Sequence, residues 1–181
     1  FLATILEAMK SNVVLQMTFR SFSMQEAKTF LVEPYCVKMS AQRWYMLARN
    51  VDYNYLRLYS LDRIEDVKLT DAHFVLPKGF CAKEYFAEYF GIVLDESIPL
   101  QRIVLRADKY HQHYMRTLPL HHSQKEIYAC DDYADFELTL RPTYDFYMKL
   151  MSFGNMIKVL EPKSLQEKIC KWLDKTLEVY K

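Results

Sequence analysis

Residues 42–64 read QRWYMLARNVDYNYLRLYSLDRI, and this stretch decides the fold of the first half of the chain. Two runs rich in aromatic and aliphatic residues flank the short segment 50–52, which has the composition of a turn. Successive side chains of a strand point to opposite faces, so Trp44 and Met46 share one face while Tyr45 lies on the other. The stretch therefore predicts two β-strands joined by a turn.

The segments on either side extend this pattern into a small all-β unit. Residues 1–10 carry apolar side chains at helical spacing and predict a short helix before the first strand. Five strands are predicted at 13–19, 28–34, 35–39, 42–49 and 53–61, with Pro34 ending the second. Because these strands are short and closely spaced, we predict a small closed or nearly closed barrel, with residues 62–67 as a candidate sixth element.

The second half of the chain alternates between strands and helices. From residue 100 the predicted order is strand, helix, strand, strand, helix, strand, helix, which is the split βαβ pattern of a ferredoxin-like α/β sandwich with an extra helix. A short helix near residue 85, which Gly91 is predicted to cap, joins the two halves. The predicted organisation is a linker helix at 1–12, a barrel at 13–77, a connector at 78–99 and an α/β extension at 100–181.

The composition excludes several classes of protein. Of the 181 residues 51% are hydrophobic, so the chain is able to build a core and global disorder is excluded. The net charge of +1 gives no bulk cationic field for non-specific nucleic-acid binding, and no stretch is apolar enough for a membrane helix. Four separated cysteines predict reduced, mostly buried thiols in a cytoplasmic protein, and the start at Phe1 rather than Met predicts a fragment of a longer chain.

One predicted strand carries a candidate anion site. Arg57 and Tyr59 are two residues apart and share a face. A guanidinium able to bind an anion therefore lies beside a ring able to stack on a planar group. Arg63 follows on the same segment. The alternative is a solvated face on which Arg63 pairs with Asp62 or Asp66, with little gain in stability.

The order of these residues resembles the signature of the WYL domain. Trp44-Tyr45-Met46 stands where the family has Trp-Tyr-Leu, and Arg57-x-Tyr59-x-Leu61-Asp62-Arg63-Ile64 is similar to the strand that follows it. The resemblance covers nearly the whole chain, because further similarity lies at Glu33-Pro34-Tyr35, at the connector 82–92, and at 136–138, 150–154 and 159–162, which resemble the family's C-terminal extension.

The sequence also departs from the family pattern. Met46 replaces a leucine of similar volume, Tyr59 replaces a phenylalanine, and Phe19 stands where a tyrosine is common. Ser60 stands where the family often has a second arginine, which removes one expected phosphate contact.

The resemblance implies a regulatory module of a bacterial transcription regulator, in which an Sm-like barrel senses a nucleotide or a nucleic-acid-like ligand such as a single strand. In this interpretation Arg57 and Arg63 bind phosphate through forked hydrogen bonds. The side chains expected to stack on a base or to complete the pocket are Trp44, Tyr45, Tyr59, Phe19 and Ser21. Among them, Trp44 is predicted to be a core or wall residue rather than a stacking platform.

DNA binding is expected from a helix-turn-helix outside these residues, because ten residues before the first strand cannot hold two packed helices. A homodimer is also expected. The alternative function is a dimerisation or interaction module without a ligand.

The sequence disfavours metal binding and catalysis. His111-x-His113 and His121-His122 invite a zinc site, but 108–116 reads as a helix, in which residues two apart diverge. No motif places a base beside a nucleophile, and the three glycines form no phosphate-binding loop. We expect no metal, no cofactor and no catalytic residue.

Overall fold

A computed structural model describes all 181 residues, which form two compact units, Phe1–Ala82 and Lys83–Lys181. Each unit has its own antiparallel sheet and its own core. None of the helices combines the length and the apolar composition needed to cross a membrane. The finer division into four segments stays a prediction from the sequence.

The first unit is a helix followed by a five-stranded antiparallel sheet. Its elements are α1 (Leu2–Ser11), β1 (Val13–Phe19), β2 (Lys28–Ser40), β3 (Arg43–Asn50), β4 (Tyr55–Ser60), a 3-10 helix (Leu61–Arg63) and β5 (Ile64–His73). The strands are paired in the order β4-β3-β2-β1-β5. The predicted N-terminal helix is confirmed, and it ends at Asn12, whose left-handed conformation (φ 53°) asparagine tolerates better than most residues.

Two strands differ from the sequence-based prediction. Residues 28–40 form one strand rather than two, because Pro34 lies where the ladder between β2 and β3 shifts register. A bulge of this kind tolerates a residue without an N–H, so proline bends the strand there instead of ending it. The fifth strand is therefore Ile64–His73, a segment that the sequence marks only as a candidate sixth element.

The five-stranded sheet does not close by hydrogen bonds. β4 and β5 lie at opposite edges with no ladder between them, so the closed Sm-like barrel is not confirmed. Only the 3-10 helix Leu61–Arg63 separates these two edge strands in the chain. Since three residues span at most about 10 Å, the two edges approach each other at this corner and the sheet must curve strongly.

Two groups of buried residues form the core of the first unit. The larger group joins α1 to one face of the sheet and contains Ile5, Ala8, Leu15, Met17, Phe19, Val32, Met46, Ala48, Tyr59, Ile64 and Val67. The smaller group contains three buried residues, Val14, Tyr35 and Phe74, with Phe80 packed against them.

The second unit has the element order predicted from the sequence. Its elements are α2 (Ala82–Phe86, which begins at the boundary), β6 (Gln101–Asp108), α3 (His111–Thr117), β7 (Lys125–Ala129), β8 (Tyr133–Leu140), α4 (Tyr144–Met151), β9 (Ile157–Glu161) and α5 (Lys163–Val179). The four strands pair antiparallel in the order β7-β8-β6-β9. In this order β8 lies between β6 and β7, as the split βαβ pattern requires.

One face of the second sheet is apolar and packs against helices. Leu105 of β6 is paired with Phe136 of β8, and both are almost completely buried. Met115 of α3, Phe146 of α4 and Leu165 of α5 belong to the same cluster. The helices therefore cover this face and exclude water from it.

The other face of the second sheet carries a network of ion pairs. Arg106 donates two hydrogen bonds to Asp135, at 2.7 and 2.8 Å, and this carboxylate holds the pKa of Arg106 above its usual value. Arg102 donates to Glu137 at 2.6 Å and also to Glu161. These pairs link β6 to both of its neighbouring strands.

Gly91 has a different role from the predicted one. α2 ends at Phe86, so Gly91 does not cap that helix. A Cβ at residue 91 would collide with the carboxylate of Asp145, which accepts hydrogen bonds from the backbone N–H groups of Ile92 (2.7 Å) and Val93 (3.1 Å). Glycine is required here because the connector approaches the start of α4 closely.

The four cysteines are unpaired thiols. Cys36 and Cys130 are half-buried, whereas Cys81 and Cys170 are exposed, so the prediction that most of them are buried is wrong. Burial raises the pKa of the Cys36 thiol, which keeps it protonated and weakly reactive at neutral pH.

Candidate functional site

A cavity of about 360 Å³ opens at the 3-10 corner of the first unit. It is lined by the loop after β1 and by the 3-10 corner, including Arg20, Ser21, Phe22, Met24, Asp62 and Arg63. The two segments are held together by the pairing of Phe19 with Ile64 and by a 3.1 Å hydrogen bond from the Arg20 N–H to the Arg63 carbonyl. The corner that brings β4 and β5 together thus also forms this cavity.

Arg63 is the central cation of the cavity. Its guanidinium carbon lies 3.9 Å from the centroid of the Phe22 ring, a cation–π contact. Its Nε is buried and makes no hydrogen bond. Leaving such a buried donor unsatisfied costs about 1–3 kcal/mol.

The other charges of the cavity have partners within the protein. Arg20 pairs with Glu65 at 3.0 Å. Asp62 lies 3.3 Å from a guanidinium nitrogen of Arg43 and accepts a hydrogen bond from Ser60. The Ser60 hydrogen bond is the main cause that holds the pKa of Asp62 below its usual value. Arg63 alone among the charged side chains of this cavity has no ion pair.

Ser60 explains one departure from the family pattern. Its side chain is buried and donates its hydroxyl to the carboxylate of Asp62. This position therefore supplies no cation to the site, and the hydroxyl positions the acidic residue of the corner instead.

Arg57 lies on β4 and outside the walls of the cavity. It is exposed, and its guanidinium carbon lies 5.8 Å from the centroid of the Tyr59 ring. Like Arg63, it makes no ion pair. The nine arginines of the chain divide accordingly, since the seven with a carboxylate partner are Arg20, Arg43, Arg49, Arg102, Arg106, Arg116 and Arg141.

Phe19 and Tyr59 belong to the core rather than to an exposed stacking surface. They are 4% and 1% exposed, and their rings meet edge to face with centroids 5.3 Å apart. Burial raises the pKa of Tyr59, and a hydrogen bond with Asn50 opposes this effect. The structure therefore gives these two predicted pocket residues the role of supporting the wall behind Arg57 and the corner.

Trp44 and Tyr45 also differ from their predicted environments. Trp44 is 42% exposed at the hairpin end of β3, opposite the exposed Met39, so it is not a core residue. Tyr45 is buried and pairs with Ser60 across β3 and β4. Neither lines the cavity that holds Arg63.

The structure thus brings together two of the seven predicted site residues, Ser21 and Arg63. Sequence reasoning missed Phe22, whose ring is 82% exposed beside the guanidinium of Arg63. The signal was a single aromatic residue within the mostly polar segment 21–26, since an exposed aromatic in a polar loop has no packing role there.

The adjacent histidines His121 and His122 have ordinary hydrogen-bond partners. His121 Nδ1 lies 2.7 Å from the Ser123 hydroxyl, and His122 Nε2 lies 2.7 Å from the Ala87 carbonyl oxygen. His111 and His113 lie on α3, as the sequence predicts.

Two family matches agree with this architecture. The WYL domain family matches residues 1–69, which include α1, the sheet and the 3-10 corner, and the WCX domain family matches residues 99–177 of the second unit. Together they account for most of the chain. The chain therefore carries a WYL domain followed by a WCX domain.

Two solved structures resemble the chain as a whole. One, described as the crystal structure of a CRISPR Cas-related protein, has a TM-score of 0.54 and 12% identity, and the match covers 98% of this chain and 50% of that one. The other is proteasome accessory factor B/C (PafBC) of Arthrobacter aurescens, with a TM-score of 0.45, 20% identity, and coverage of 93% and 25%. The chain thus spans half or less of the length of both proteins. No curated protein matches the chain.

Proposed function

We propose that the first unit is the ligand-sensing part of a bacterial transcription regulator, and that it binds a nucleotide or a single-stranded nucleic acid without converting it. One observation carries this proposal. Arg57 and Arg63 are the two arginines without a carboxylate partner, so their guanidinium donors remain available to an external anion. A guanidinium binds phosphate well because its planar fork matches two phosphate oxygens.

The surroundings of Arg63 favour a phosphate attached to a planar base. Phe22 covers one side of the guanidinium and leaves most of its own ring exposed. Stacking a base on such a ring contributes roughly 1–3 kcal/mol and tolerates any base. An anion without an aromatic group would gain only the interaction with the charge.

The remaining parts of the proposal concern the larger regulator. DNA would be bound by a helix-turn-helix outside these 181 residues, and ligand binding at the 3-10 corner would change the affinity for DNA in a cytoplasmic homodimer. The match of residues 1–69 to the WYL domain family supports this interpretation of the first unit. The Sm-like character of the curved sheet is part of the same proposal.

The test is fluorescence anisotropy with a labelled oligothymidylate of about 12 nucleotides, a length within the usual range of single-strand sites. Unlabelled mononucleotides are then added as competitors. We expect Arg63→Gln to weaken binding at least tenfold, because a charge-assisted hydrogen bond contributes about 1.5–3 kcal/mol. The slope of log affinity against log salt should also fall by about 0.7 for each phosphate that the variant no longer neutralises.

The matched control is Arg116→Gln, which removes the same charge from an arginine paired with Glu126 at 2.6 Å. It should bind the oligonucleotide as the wild type does. Equally weakened binding in Arg63→Gln and Arg116→Gln would mean that only the total charge matters. The proposal also fails if the wild-type protein binds neither the oligonucleotide nor a nucleotide.

The second candidate function is a dimerisation module without a ligand. α5 and its end expose a row of apolar side chains, with Leu173 47%, Leu177 53% and Tyr180 84% exposed. Large exposed apolar residues of this kind are typical of protein interfaces. Sedimentation of the wild type and of Leu177→Asp tests it, since a dimer held by this row should dissociate in the variant.

A further inference from the structure

The second unit contains a larger cavity, of about 530 Å³. Met115, which is 2% exposed, lies at its base, and Phe90, Leu120 and Phe153 line its walls. Sites for small molecules are typically concave, mostly apolar and roughly 300–1,000 Å³ in volume, with a few polar groups that orient the ligand. The size and the lining of this cavity match that description.

Lys149 places a positive charge at this cavity, and no carboxylate lines it. The ammonium nitrogen of Lys149 lies 4.6 Å from the centroid of the Phe153 ring and makes no ion pair. Its long apolar stem packs against the wall while its charge remains available. The cavity therefore has an apolar interior and one uncompensated cation.

His111 contributes its ring to the wall of the cavity. Its Nδ1 is buried from solvent and lies 3.6 Å from a carboxylate oxygen of Asp108, so it is next to that acid. That oxygen already accepts hydrogen bonds from the backbone N–H groups of residues 110 and 111. The imidazole ring lies against Tyr114 and Phe153, with centroid distances of 5.5 and 6.0 Å, so it forms part of the aromatic wall.

We propose that this cavity binds a small monocarboxylic acid with an apolar body, whose carboxylate is held by Lys149. An apolar body fits the aromatic and aliphatic walls, and a single negative charge complements the single lysine. The cavity contains no arginine, so it lacks the planar fork that favours phosphate. A cationic ligand is excluded because Lys149 would repel it with no acid to offset the repulsion. This site is separate from the arginine site of the first unit and does not depend on it.

The test compares three ligands of equal chain length, decanoate, 1-decanol and decylamine, by isothermal titration calorimetry with the full 181-residue chain below the micelle concentration. We expect decanoate to bind saturably, decanol at least tenfold more weakly, and decylamine not at all. Lys149→Met keeps the apolar stem and removes the charge, so it should weaken decanoate at least tenfold and leave decanol unchanged. Lys171→Met, an exposed lysine of α5 outside the cavity, is the matched control and should bind decanoate normally.

NMR provides a readout that identifies the cavity itself. The methyl resonance of Met115, at the base of the cavity, should shift with decanoate and saturate with the calorimetric affinity. The proposal is overturned if no ligand binds saturably or if decanol binds as tightly as decanoate. It is equally overturned if Lys149→Met binds decanoate as the wild type does, or if the Met115 methyl does not shift. Circular dichroism of each variant confirms that it is folded.

Discussion

The two units differ in what they do with their arginines. All four arginines of the second unit pair with carboxylates, and two of them, Arg102 and Arg106, tie β6 to both of its neighbouring strands. The first unit has five arginines, of which three are paired, and the two that remain are Arg57 and Arg63. The comparison teaches that arginine is structural where the fold supplies a carboxylate partner, and is available for binding where the chain supplies no acid.

The cores differ in a parallel way. The second unit has one continuous cluster of 14 buried residues shared by three strands and three helices. The first unit divides its buried residues between a group of eleven and a group of three. Residues of equal size should therefore contribute unequally to stability in the two units.

The largest expected effect tests this difference with two matched phenylalanines. Phe136→Ala in the continuous core should reduce the free energy of unfolding by roughly 3–5 kcal/mol, because it leaves a cavity among residues that cannot collapse into it. Phe74→Ala in the three-residue cluster should cost less, because its surroundings relax more easily. Urea unfolding followed by tryptophan fluorescence measures both.

The chain has one tryptophan in each unit, Trp44 and Trp172, so each transition can be followed separately. Phe136→Ala is measured in a Trp44→Phe background and Phe74→Ala in a Trp172→Phe background. A larger decrease in stability for Phe74→Ala than for Phe136→Ala would contradict the contrast between the cores.

The prediction of intermediate size compares the stability contributed by a paired arginine, Arg49 of β3, with that of an unpaired one, Arg57 of the neighbouring strand β4. Glu33 of β2 is buried and accepts two hydrogen bonds from Arg49, at 2.6 and 2.7 Å. Glu33→Gln should lower the free energy of unfolding by about 1–2 kcal/mol, a value reduced by the partial exposure of Arg49. Arg57→Gln should change it by no more than about 0.5 kcal/mol.

Urea unfolding of the first unit, reported by Trp44, provides both values. If Arg57→Gln proved as destabilising as Glu33→Gln, Arg57 would be a structural residue, and its assignment to ligand binding would have to be withdrawn.

The smallest effect concerns pH. The Ser60 hydrogen bond and then the charge of Arg43 hold the pKa of Asp62 below its usual value of about 3.9. The stability from this depressed pKa is fully present above about pH 5 and is lost as the pH falls through the folded-state pKa. Ser60→Ala should raise the pKa of Asp62 and lower stability at pH 7 by less than about 1 kcal/mol, since this carboxylate is half-exposed.

Carboxyl NMR titration measures the shift, and the second unit offers a matched control. Ser97 donates to Asp95 and is the main cause that lowers the pKa of Asp95. Each serine variant should raise the pKa of its own partner alone. An unchanged Asp62 titration in Ser60→Ala would show that Arg43, not Ser60, controls this carboxylate.

Several features could be predicted from the sequence because they depend on local patterns. The element order of the second unit followed from hydrophobic periodicity, and the helix before β1 from an apolar stripe followed by Asn12. The WYL family was identified from the ordered motif around Trp44 and Arg57. These signals survive in the sequence because each depends on residues close together in the chain.

Other features depended on contacts between distant segments. Pro34 was wrongly predicted to end a strand. The bulge that accommodates it arises only when β2 pairs with β3, so the segment alone does not reveal it. Alternation placed Tyr59 on the same face as Arg57, but only the packing of α1 and β1 buried Tyr59, whereas Arg57 is exposed. Trp44 was predicted to be a core or wall residue, but it lies exposed at the end of the hairpin and is not part of the core.

The sequence by itself determined the family, the order of the elements in the second unit and the two arginines on which the proposed function depends. Only the tertiary structure decided which arginines lack partners, because an ion pair joins strands whose register cannot be read from either segment alone. It also decided that Phe22 lies against Arg63, and that Met115, Lys149 and His111 meet around one cavity. Local patterns specify helices and strands, whereas binding sites form where separate elements bring unsatisfied groups together.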